Sequence, residues 1–387
     1  MVEWKKLGEI MTIVRGASPR PITNYITNDA DGVNWIKIGD VASDAKYITS
    51  SNEKITKEGA AKSRFLHSGD FILSNSMSFG RPYILKIDGC IHDGWIAMSD
   101  FEQHVSSGYL YEILNSNKVQ DYWKMKANNG GAMTNLNSDI VRQTTIPIPS
   151  LSEQQRIVSI LDTFTSSISN LKQQIEERRK QYEYERDLLL DLEGKEGVEM
   201  KKLEEVGDIC MCKRIMKNQT SDVGDIPFFK IGTFGGVPDA YISRELFEEY
   251  KKKYSYPKKG EILISAAGTI GRSVVFDGED AYFQDSNIVW ISNNEQLVLN
   301  TFLRYLYGII DWKIDGGTIK RLYNYNLKNA TIYVPSLEAQ SRIVSILDTF
   351  EQSISNLEEQ LAMREKQYEY YRNQLLTFEG EEERGKT

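Results

Sequence analysis

The sequence has few of the residues on which common catalytic and metal sites depend. It contains three histidines, three cysteines and nine prolines in 387 residues. Cys90, Cys210 and Cys212 are too few and too irregularly spaced for a disulfide framework or a zinc site. No two prolines are adjacent, which excludes the Asn-Pro-Pro-Tyr or Asp-Pro-Pro-Tyr loop of adenine methyltransferases. These absences count against a self-sufficient nuclease or methyltransferase.

Long apolar runs are also missing. No stretch is long enough to cross a bilayer, and residues 1–10 lack the apolar centre of a signal peptide. The chain is 40% hydrophobic and 26% charged, as is ordinary for a globular protein of more than one domain. We therefore expect a cytoplasmic location.

The net charge of −8 is unevenly distributed along the chain. The surplus acid lies in 151–197 and 337–387, whereas 1–150 and 198–336 each contain equal numbers of basic and acidic residues. Two interpretations stay open. The neutral segments could present basic loops to phosphate, or the counts reflect only the charged surface that helices usually carry.

The most informative feature is an internal repeat. Residues 157–164, Ile-Val-Ser-Ile-Leu-Asp-Thr-Phe, recur unchanged as residues 343–350, an offset of 343 − 157 = 186. Lys-Gln-Tyr-Glu-Tyr at 180–184 recurs at 366–370 with the same offset. Two copies of one unit in a chain imply pseudo-twofold symmetry.

The repeated segments have the pattern of long amphipathic helices. Apolar residues alternate at spacings of four and three, which is the heptad seam of a coiled coil. The seam residues are Ile157, Leu161, Phe164, Ile168 and Leu171 in the first copy and Ile343, Leu347, Phe350, Ile354 and Leu357 in the second. We predict helices over 151–193 and 337–379, each with a serine N-cap at Ser150 or Ser336.

The two seams match in phase, so each helix is expected to pair with the other. A twofold axis across the pair would make the helices antiparallel, although the periodicity alone also permits parallel pairing. Arg178 and Arg364 interrupt the seams at equivalent positions. We expect their stems to pack while their guanidinium groups reach water, rather than a contact to DNA or a partner.

The segments between the helices are also copies of each other. Residues 69–73, Gly-Asp-Phe-Ile-Leu, match residues 260–264, and Gly80-Arg81 match Gly271-Arg272, at an offset of 191. Short β-rich runs lie between turn residues, and helix is expected only near each domain's end, over 118–127 and 301–312. The predicted fold class is therefore α+β, with a curved, mostly antiparallel sheet in each domain.

Five loops join these strands and are rich in Ser, Asn, Tyr, Arg and Lys. They cover 15–25, 74–81, 213–220, 265–272 and 320–326. Such side chains reach phosphate oxygens and base edges, although they are also ordinary turn formers. The candidate DNA-binding residues are Arg15, Ser18, Arg20, Asn75, Ser76, Ser78, Arg81, Lys213, Arg214, Ser265, Thr269, Arg272, Lys320, Arg321, Tyr323 and Asn324.

The order of segments resembles the specificity subunit of type I restriction-modification systems. A variable domain, 1–150, precedes a helix, 151–197, and a second domain, 198–336, precedes a second helix with an acidic tail, 337–387. The resemblance rests on Pro-Ser-Leu-x-x-Gln-x-Arg-Ile at 149–157 and 335–343, with the glycine motifs inside the domains. Ala339 stands where the first copy has Glu153, which weakens only the second helix cap.

The resemblance implies a DNA-recognition subunit without catalytic, cofactor or metal residues of its own. Each domain would read one half of a bipartite site in double-stranded DNA, and the helices would set the spacer and dock two methyltransferase subunits. Those subunits would use S-adenosylmethionine, and restriction subunits would use ATP and Mg²⁺. The implied location is the prokaryotic cytoplasm, without a membrane partner. The base-reading residues differ among members, so the family does not supply them.

Two other functions compete with this interpretation. A coiled-coil scaffold that binds only proteins would show no DNA sequence preference. A self-sufficient nuclease or methyltransferase would need catalytic motifs, which the sequence lacks. The last eight residues, 380–387, match the phosphate-loop pattern, but they follow a helix instead of a strand, so we do not expect nucleotide binding there.

Overall fold

The computed structural model describes residues 2–41, 45–75, 79–127, 135–314 and 320–378. The chain divides into two compact units. The first unit contains Met1–Gln173 and Glu359–Thr387, and the second contains Gln174–Glu358. Each unit therefore contains one sheet-bearing domain and parts of both long helices.

The first unit is built on two five-stranded sheets and one two-stranded sheet. Its strands are β1 (Glu3–Lys6), β2 (Thr12–Arg15), β3 (Ile26–Thr27), β4 (Val33–Ile36), β5 (Tyr47–Ile48), β6 (Glu53–Ile55), β7 (Arg64–Leu66), β8 (Phe71–Ser74), β9 (Pro82–Leu85), β10 (Gly89–Ile91), β11 (Trp95–Ser99) and β12 (Thr145–Ile148). The sheet orders are β1-β12, β3-β6-β4-β10-β7 and β2-β11-β8-β9-β5. Only the β4–β10 and β5–β9 pairs are parallel among the pairs of this unit's described residues.

Five short helices accompany these strands in the described part of the first unit. They are α1 (Leu7–Ile10), α2 (Lys57–Ala60), α3 (Ser107–Leu114), α4 (Asn117–Ala127) and α5 (Ser138–Arg142). The buried strand β8 lies between β11 and β9 in the sheet, and α3 and α4 contribute Leu110, Leu114 and Trp123 to the core beside it.

The second unit has a smaller version of this arrangement. The first long helix, α6 (Leu151–Leu190), leads into it. Its strands and helices are β13 (Glu199–Lys202), α7 (Leu203–Val206), β14 (Gly207–Cys210), β15 (Ile226–Phe229), β16 (Tyr241–Ile242), α8 (Arg244–Lys253), β17 (Ile262–Ser265), β18 (Ser273–Val275), β19 (Tyr282–Phe283), β20 (Ile288–Asn293), α9 (Asn300–Tyr307), α10 (Asn324–Asn329) and β21 (Thr331–Val334), before the second long helix, α11 (Leu337–Leu375). The sheet orders are β13-β21, β14-β20-β17-β18 and β16-β15-β19. The predicted α+β class with mostly antiparallel sheets is confirmed.

The two long helices are antiparallel in each unit considered separately. In the first unit the ring of Phe164 stacks on that of Tyr371 at 5.3 Å, and Lys172 pairs with Glu365 further along α6. In the second unit Arg179 pairs with Glu358, and Tyr182 donates to Glu351 at 3.0 Å. Partner numbers on α11 fall as numbers on α6 rise, so the antiparallel alternative is correct and the parallel one is excluded.

The seam arginines occupy matching environments. In the second unit the guanidinium carbon of Arg178 lies 5.7 Å from the centre of the Phe350 ring, and in the first unit that of Arg364 lies 5.7 Å from the centre of the Phe164 ring. Both arginines are half-buried. Their stems therefore pack in the seam as predicted, and a cation–π contact between helices adds to that packing.

The beginnings of the long helices complete the domain cores. Ile157 and Leu161 are fully buried in the first unit with residues of α3 and β11. Ile343, Val344 and Leu347 are buried in the second unit with residues of α9 and β20. Since each leucine or isoleucine buried in this way contributes about 1.5–3 kcal/mol, the domain and the helices of each unit stabilise one another.

A buried glutamine attaches each long helix to its domain. Gln154 is 0% exposed, donates to the carbonyls of Pro149 (3.0 Å) and His104 (3.3 Å), and accepts from the Ser106 amide at 2.9 Å. These three bonds satisfy backbone groups that the helix start and the preceding loop would otherwise leave buried without partners.

The second unit repeats this attachment. Gln340 is also 0% exposed, donates to the carbonyls of Pro335 and Leu297 at 2.9 Å each, and accepts from the Leu299 amide at 2.8 Å. The repeated Pro-Ser-Leu-x-x-Gln segment is therefore a structural motif that joins a helix start to the loop before α3 or α9.

Each junction also contains a hydrogen-bonded polar pair between the domain and a long helix, but the domain supplies a different kind of residue in each unit. In the first unit the acid is on the domain, where Glu112 is 1% exposed and accepts from the Tyr368 hydroxyl at 2.7 Å. Burial raises the pKa of Glu112, although the hydrogen bond from Tyr368 opposes that shift. In the second unit the base is on the domain, where Arg304 donates to Glu351 at 2.6 Å.

A tryptophan side chain packs against the glycine of each repeated Gly-Arg pair. Gly80 and Gly271 have φ of 71° and 81°, a region that favours glycine. A Cβ on Gly80 would lie 2.9 Å from the Trp123 ring, and one on Gly271 would lie 2.6 Å from Trp312 Nε1. Both the backbone angle and the indole ring therefore exclude a side chain at these positions.

Three predictions about helices were wrong in detail. The long helices end at Leu190 and Leu375, and Leu192 and Leu376 beyond those ends are buried in the domain cores. The helix predicted over 301–312 is α9 and ends at Tyr307, since the chain leaves the helix at Gly308 and places Trp312 against Gly271.

Helix is also not confined to the domain ends. The ten-residue helix α8 lies in the middle of the second domain, where Ser243 caps it by accepting from the Leu246 amide and Phe247 is fully buried. The helix predicted over 118–127 is confirmed as α4. A further matching pair of the two domains, Gly-Gly at 130–131 and at 316–317, lies outside the described residues.

We expect Gln340→Leu to loosen the junction of the second unit. The substitution keeps the volume but leaves the Leu299 amide and two carbonyls buried without partners, at a cost of about 2–4 kcal/mol. Hydrogen–deuterium exchange should rise over 297–303 and stay unchanged over 104–110, the equivalent segment of the first unit. Gln352→Leu, an exposed position on the same helix, is the matched control. Equal exchange in both variants would contradict the anchoring role.

Candidate nucleic-acid interface

In the first unit, one aspartate joins the predicted 15–25 loop to the sheet. Asp93 lies between β10 and β11, where its carboxylate accepts from the Ser18 hydroxyl at 3.0 Å and lies 3.5 Å from an Nη of Arg20. The imidazole Nε2 of His92 is 3.0 Å from the same carboxylate. Burial alone would raise the pKa of Asp93, but the Ser18 hydrogen bond and nearby positive charge lower it, so Asp93 is a carboxylate at neutral pH.

The backbone of Asp93 holds a further arginine. Its carbonyl accepts from Arg15 Nε at 2.9 Å and from the amide group of Asn75 at 3.2 Å. Asn75 is 4% exposed, whereas Arg15 is exposed at the end of β2. The buried Asn75 side chain therefore holds the Asp93 carbonyl in place, while the Arg15 side chain is exposed to solvent.

Two open clefts adjoin the cluster formed by Asp93 and the residues bonded to it, which we call the Asp93 hub. One, of about 540 Å³, includes Arg20, Lys37, Glu53 and His92 in its lining, and Lys37 pairs with Glu53 at 2.5 Å. The other, of about 430 Å³, is lined in part by Arg15, Arg64, Asn75, Asn135 and Arg142. Arginine and asparagine side chains in an open cleft provide donors in the geometry that phosphates and base edges accept.

The second unit places a similar pair at the corresponding loop. Arg214 Nε donates to Asp285 Oδ2 at 2.9 Å, where Asp285 lies between β19 and β20. The next residue, Ser286, has φ of 53°, and Arg321 holds this turn. Its Nη2 is 2.9 Å from the Ser286 carbonyl, the Ser286 hydroxyl and Asn287 Oδ1.

The 265–272 loop is fixed from within. Ser265 is 1% exposed, and its hydroxyl donates to the carbonyls of Thr269 and Arg272. Arg272 is exposed, and its Nη2 donates to the Gly235 carbonyl at 3.3 Å. Ser265 therefore shapes the loop, while Thr269 and Arg272 lie on its surface.

The predicted DNA-binding residues fall into four groups. The exposed ones are Arg15, Arg20, Arg81, Lys213, Arg214, Thr269, Arg272, Lys320, Tyr323 and Asn324. Ser18 and Arg321 are half-buried, and Asn75 and Ser265 are buried. Because a buried side chain cannot touch a duplex in this conformation, Asn75 and Ser265 are positioning residues instead of contacts. Ser76 and Ser78 lie outside the described residues.

Several residues of these clusters were not predicted. His92, Asp93, Asp285, Ser286 and Asn287 lie in the loop before β11 or β20, outside the five predicted loops. Asp-Gly at 93–94 and Asp-Ser-Asn at 285–287 are turn signals that could have indicated these loops. Asp93 and Asp285 bond to Ser18 and Arg214, which lie 75 and 71 residues away in the chain, so composition alone could not join them.

Exposed aromatic residues accompany the basic side chains of the second unit. The rings of Tyr323 and Tyr325 stack at 5.9 Å with an angle of 9° and are 43% and 53% exposed. Lys213 lies over the ring of Tyr254 at 5.2 Å. Helix α10 begins at Asn324, inside the predicted loop 320–326, so Tyr323 and Asn324 lie at a helix start.

Metal and membrane features can be assessed for the described residues only. Within 2–41, 45–75, 79–127, 135–314 and 320–378, no three His, Cys, Asp or Glu side chains are grouped as metal ligands. None of the helices in those ranges has the length and apolar character needed to span a bilayer.

Comparison with known proteins identifies the family. A family model described as the type I restriction modification DNA specificity domain matches residues 1–178 and again residues 195–363. The chain is 42% identical to a putative type I restriction enzyme specificity subunit of Haemophilus influenzae, over 97% of this chain and 96% of that protein. It is 30% identical to a type I restriction enzyme specificity subunit of Escherichia coli, over 61% of this chain and 64% of that protein.

Solved structures share the fold. A chain from work on the assembly and conformational transition of the type I R-M system matches with a TM-score of 0.68 and 20% identity, over 97% of each chain. The HsdS subunit of Thermoanaerobacter tengcongensis matches with a TM-score of 0.52 and 20% identity, over 97% of this chain and 95% of that one. The chain belongs to the type I restriction-modification DNA specificity family.

We expect Arg272→Ala and Arg321→Ala each to weaken sequence-specific DNA binding by about 1–3 kcal/mol. Arg321→Ala should also raise hydrogen exchange over 284–288, because three acceptors lose their donor. Arg272→Ala should leave that exchange unchanged. Fluorescence anisotropy of a labelled duplex at low salt measures the affinity. Unchanged affinity for both variants would place the DNA surface elsewhere.

Proposed function

We propose that this chain is the subunit that gives a type I restriction-modification complex its DNA specificity. Each domain reads one half of a bipartite site in double-stranded DNA, and the paired helices set the unread spacer and dock two methyltransferase subunits. The observation that supports the proposal is that the two domains share their sheet arrangement and helix attachment but differ in their loop residues. Arg15 ends β2 and Arg214 lies in the loop that follows β14, and the residues that hold the two arginines differ.

Membership of the family indicates which steps this chain performs and which its partner subunits perform. Specificity subunits are the recognition components of these systems and do not catalyse methylation or cleavage. We propose that methyltransferase subunits supply S-adenosylmethionine chemistry and that restriction subunits use ATP and Mg²⁺. The segments 1–150, 151–197, 198–336 and 337–387 would serve as two recognition modules and two helical connectors in the prokaryotic cytoplasm, where the DNA lies.

Protein scaffolding without DNA recognition is less well supported. A scaffold would not need arginines held at their Nε atoms by the loops that precede β11 and β20. A DNA-dependent methylation assay with partner subunits separates the two functions, because a scaffold shows no sequence preference.

Replacing residues 1–150 with the corresponding domain of a relative should change one half of the methylated site. The other half and the spacer should stay the same, because residues 198–336 and both helices are unaltered. Methylome sequencing of cells that express the hybrid provides the measurement. The reciprocal replacement of 198–336 is the control, and a hybrid that alters both halves in an active complex would refute modular reading.

A fragment of residues 1–194 should dimerise. In a dimer, Arg178 of one copy would meet Phe164 of the other, as Arg364 does in the full chain, and Tyr182 would replace Tyr368 as donor to Glu112. Light scattering at tens of micromolar measures the mass. With the methyltransferase, the dimer should modify a palindrome of the first half-site, with weaker assembly because the covalent link is lost.

A fragment that stays monomeric, or that directs methylation of a direct repeat, would contradict this symmetry. Fusing 198–387 ahead of 1–197 should keep the native specificity, because antiparallel helices allow the same pairing in either order. Loss of specificity in that well-folded permutant would be a second contradiction.

A further inference from the structure

Beside the predicted loops, one arginine in each domain is held through its Nε atom alone. Arg214 Nε donates to Asp285 Oδ2, and Arg15 Nε donates to the Asp93 carbonyl, both at 2.9 Å. Neither arginine has a hydrogen bond from its Nη groups to another residue of the described part of the chain. Since Nε is occupied, the two Nη groups remain as an outward fork.

Three other arginines of these loops are used differently. Arg321 donates three bonds through Nη2 to Ser286 and Asn287. Arg272 donates through Nη2 to Gly235, and Arg20 reaches Asp93 through Nη2. In each case one arm of the Nη fork is occupied, so these residues are less suited to a two-bond contact.

The holders of Arg15 and Arg214 are themselves fixed. Arg321 ties the turn that follows Asp285, and the side chain of Asp285 is only 17% exposed, whereas that of Arg214 is 67% exposed. Ser18 and Asn75 fix Asp93 in the first unit. An exposed arginine on a fixed support loses less rotamer freedom when it binds, which favours a contact of defined geometry.

The charge balance favours a base over a phosphate. Phosphate contacts depend on uncompensated positive charge and counterion release. Arg214 is paired with a carboxylate at 2.9 Å, and the carboxylate of Asp93 lies in the loop that holds Arg15. Guanine O6 and N7 instead accept two parallel bonds from an arginine fork, and that contact depends mainly on geometry.

We propose that Arg15 and Arg214 each read a guanine through its N7 and O6 atoms in the major groove, one in each half of the site. The proposal rests on the proposed function and adds a base identity to it. Each half-site contains a G·C pair at the position that its arginine contacts.

The test uses the full-length chain assembled with its methyltransferase subunits and a duplex carrying the site that methylome sequencing defines. Each guanine is replaced in turn by 7-deazaguanine, which lacks the N7 acceptor. The unmodified complex should lose binding several-fold at one guanine in each half. Arg214→Ala should weaken binding roughly tenfold or more and abolish the effect of 7-deazaguanine in the second half only. Arg15→Ala should do so in the first half only.

Two further variants separate base reading from charge. Arg214→Lys keeps the charge but loses the fork, so its loss of binding should approach that of Arg214→Ala. Arg244→Ala is the matched control, because Arg244 is exposed and paired with Asp280 at 3.1 Å through Nη1. It should keep the full 7-deazaguanine pattern.

Wild-type binding by Arg214→Lys, or an even loss across all sequences in Arg214→Ala, would assign a phosphate contact and overturn the inference. An unchanged 7-deazaguanine pattern in Arg15→Ala and Arg214→Ala would overturn it as well, while leaving the proposed function intact. If the unmodified complex prefers no sequence, the proposed function itself fails.

Discussion

The antiparallel pairing of α6 and α11 is the interaction on which the rest of the structure depends. Each unit contains one domain, the start of one long helix and the end of the other. Leu161 and Leu347 are fully buried in their respective cores, and Leu376 and Leu190 from the opposite helix ends lie in the same clusters. Separating the helices would therefore expose apolar surface in both cores, so a domain without the helix pair would lack part of its own interior.

The buried glutamines connect the paired helices to the segments of the domains that precede α3 and α9. Gln154 and Gln340 fix the segments before α3 and α9, which pack beside the central strands β8 and β17. From those sheets project the loops that hold Arg15 and Arg214. The glutamine bonds at the helix starts are thus repeated in both units, whereas the loop residues that face outward differ. This separation allows recognition residues to change without loss of the fold.

The sequence predicted what is periodic or repeated, and it did not predict contacts between distant loops. The seam residues Ile157 to Leu171 and their copies have a heptad spacing, so the helices and their pairing could be inferred. Helix α8 was missed although its sequence indicates it, with Ser243 as the N-cap, Glu245 in the first turn and lysines in the last turn. The Asp93 and Asp285 hubs could not be predicted, since each joins loops about 70 residues apart. Parallel pairing was excluded only by contacts such as that of Phe164 with Tyr371.

Methylome sequencing of the source cell, with and without this gene, tests the central claim most directly. The account predicts a two-part methylated motif whose halves are separated by a fixed unread gap, because the chain contains two domains with different loops and the paired helices are proposed to set the spacer. Deletion of the gene should remove methylation at that motif and at no other. A continuous motif, or a motif that survives the deletion, would contradict the account.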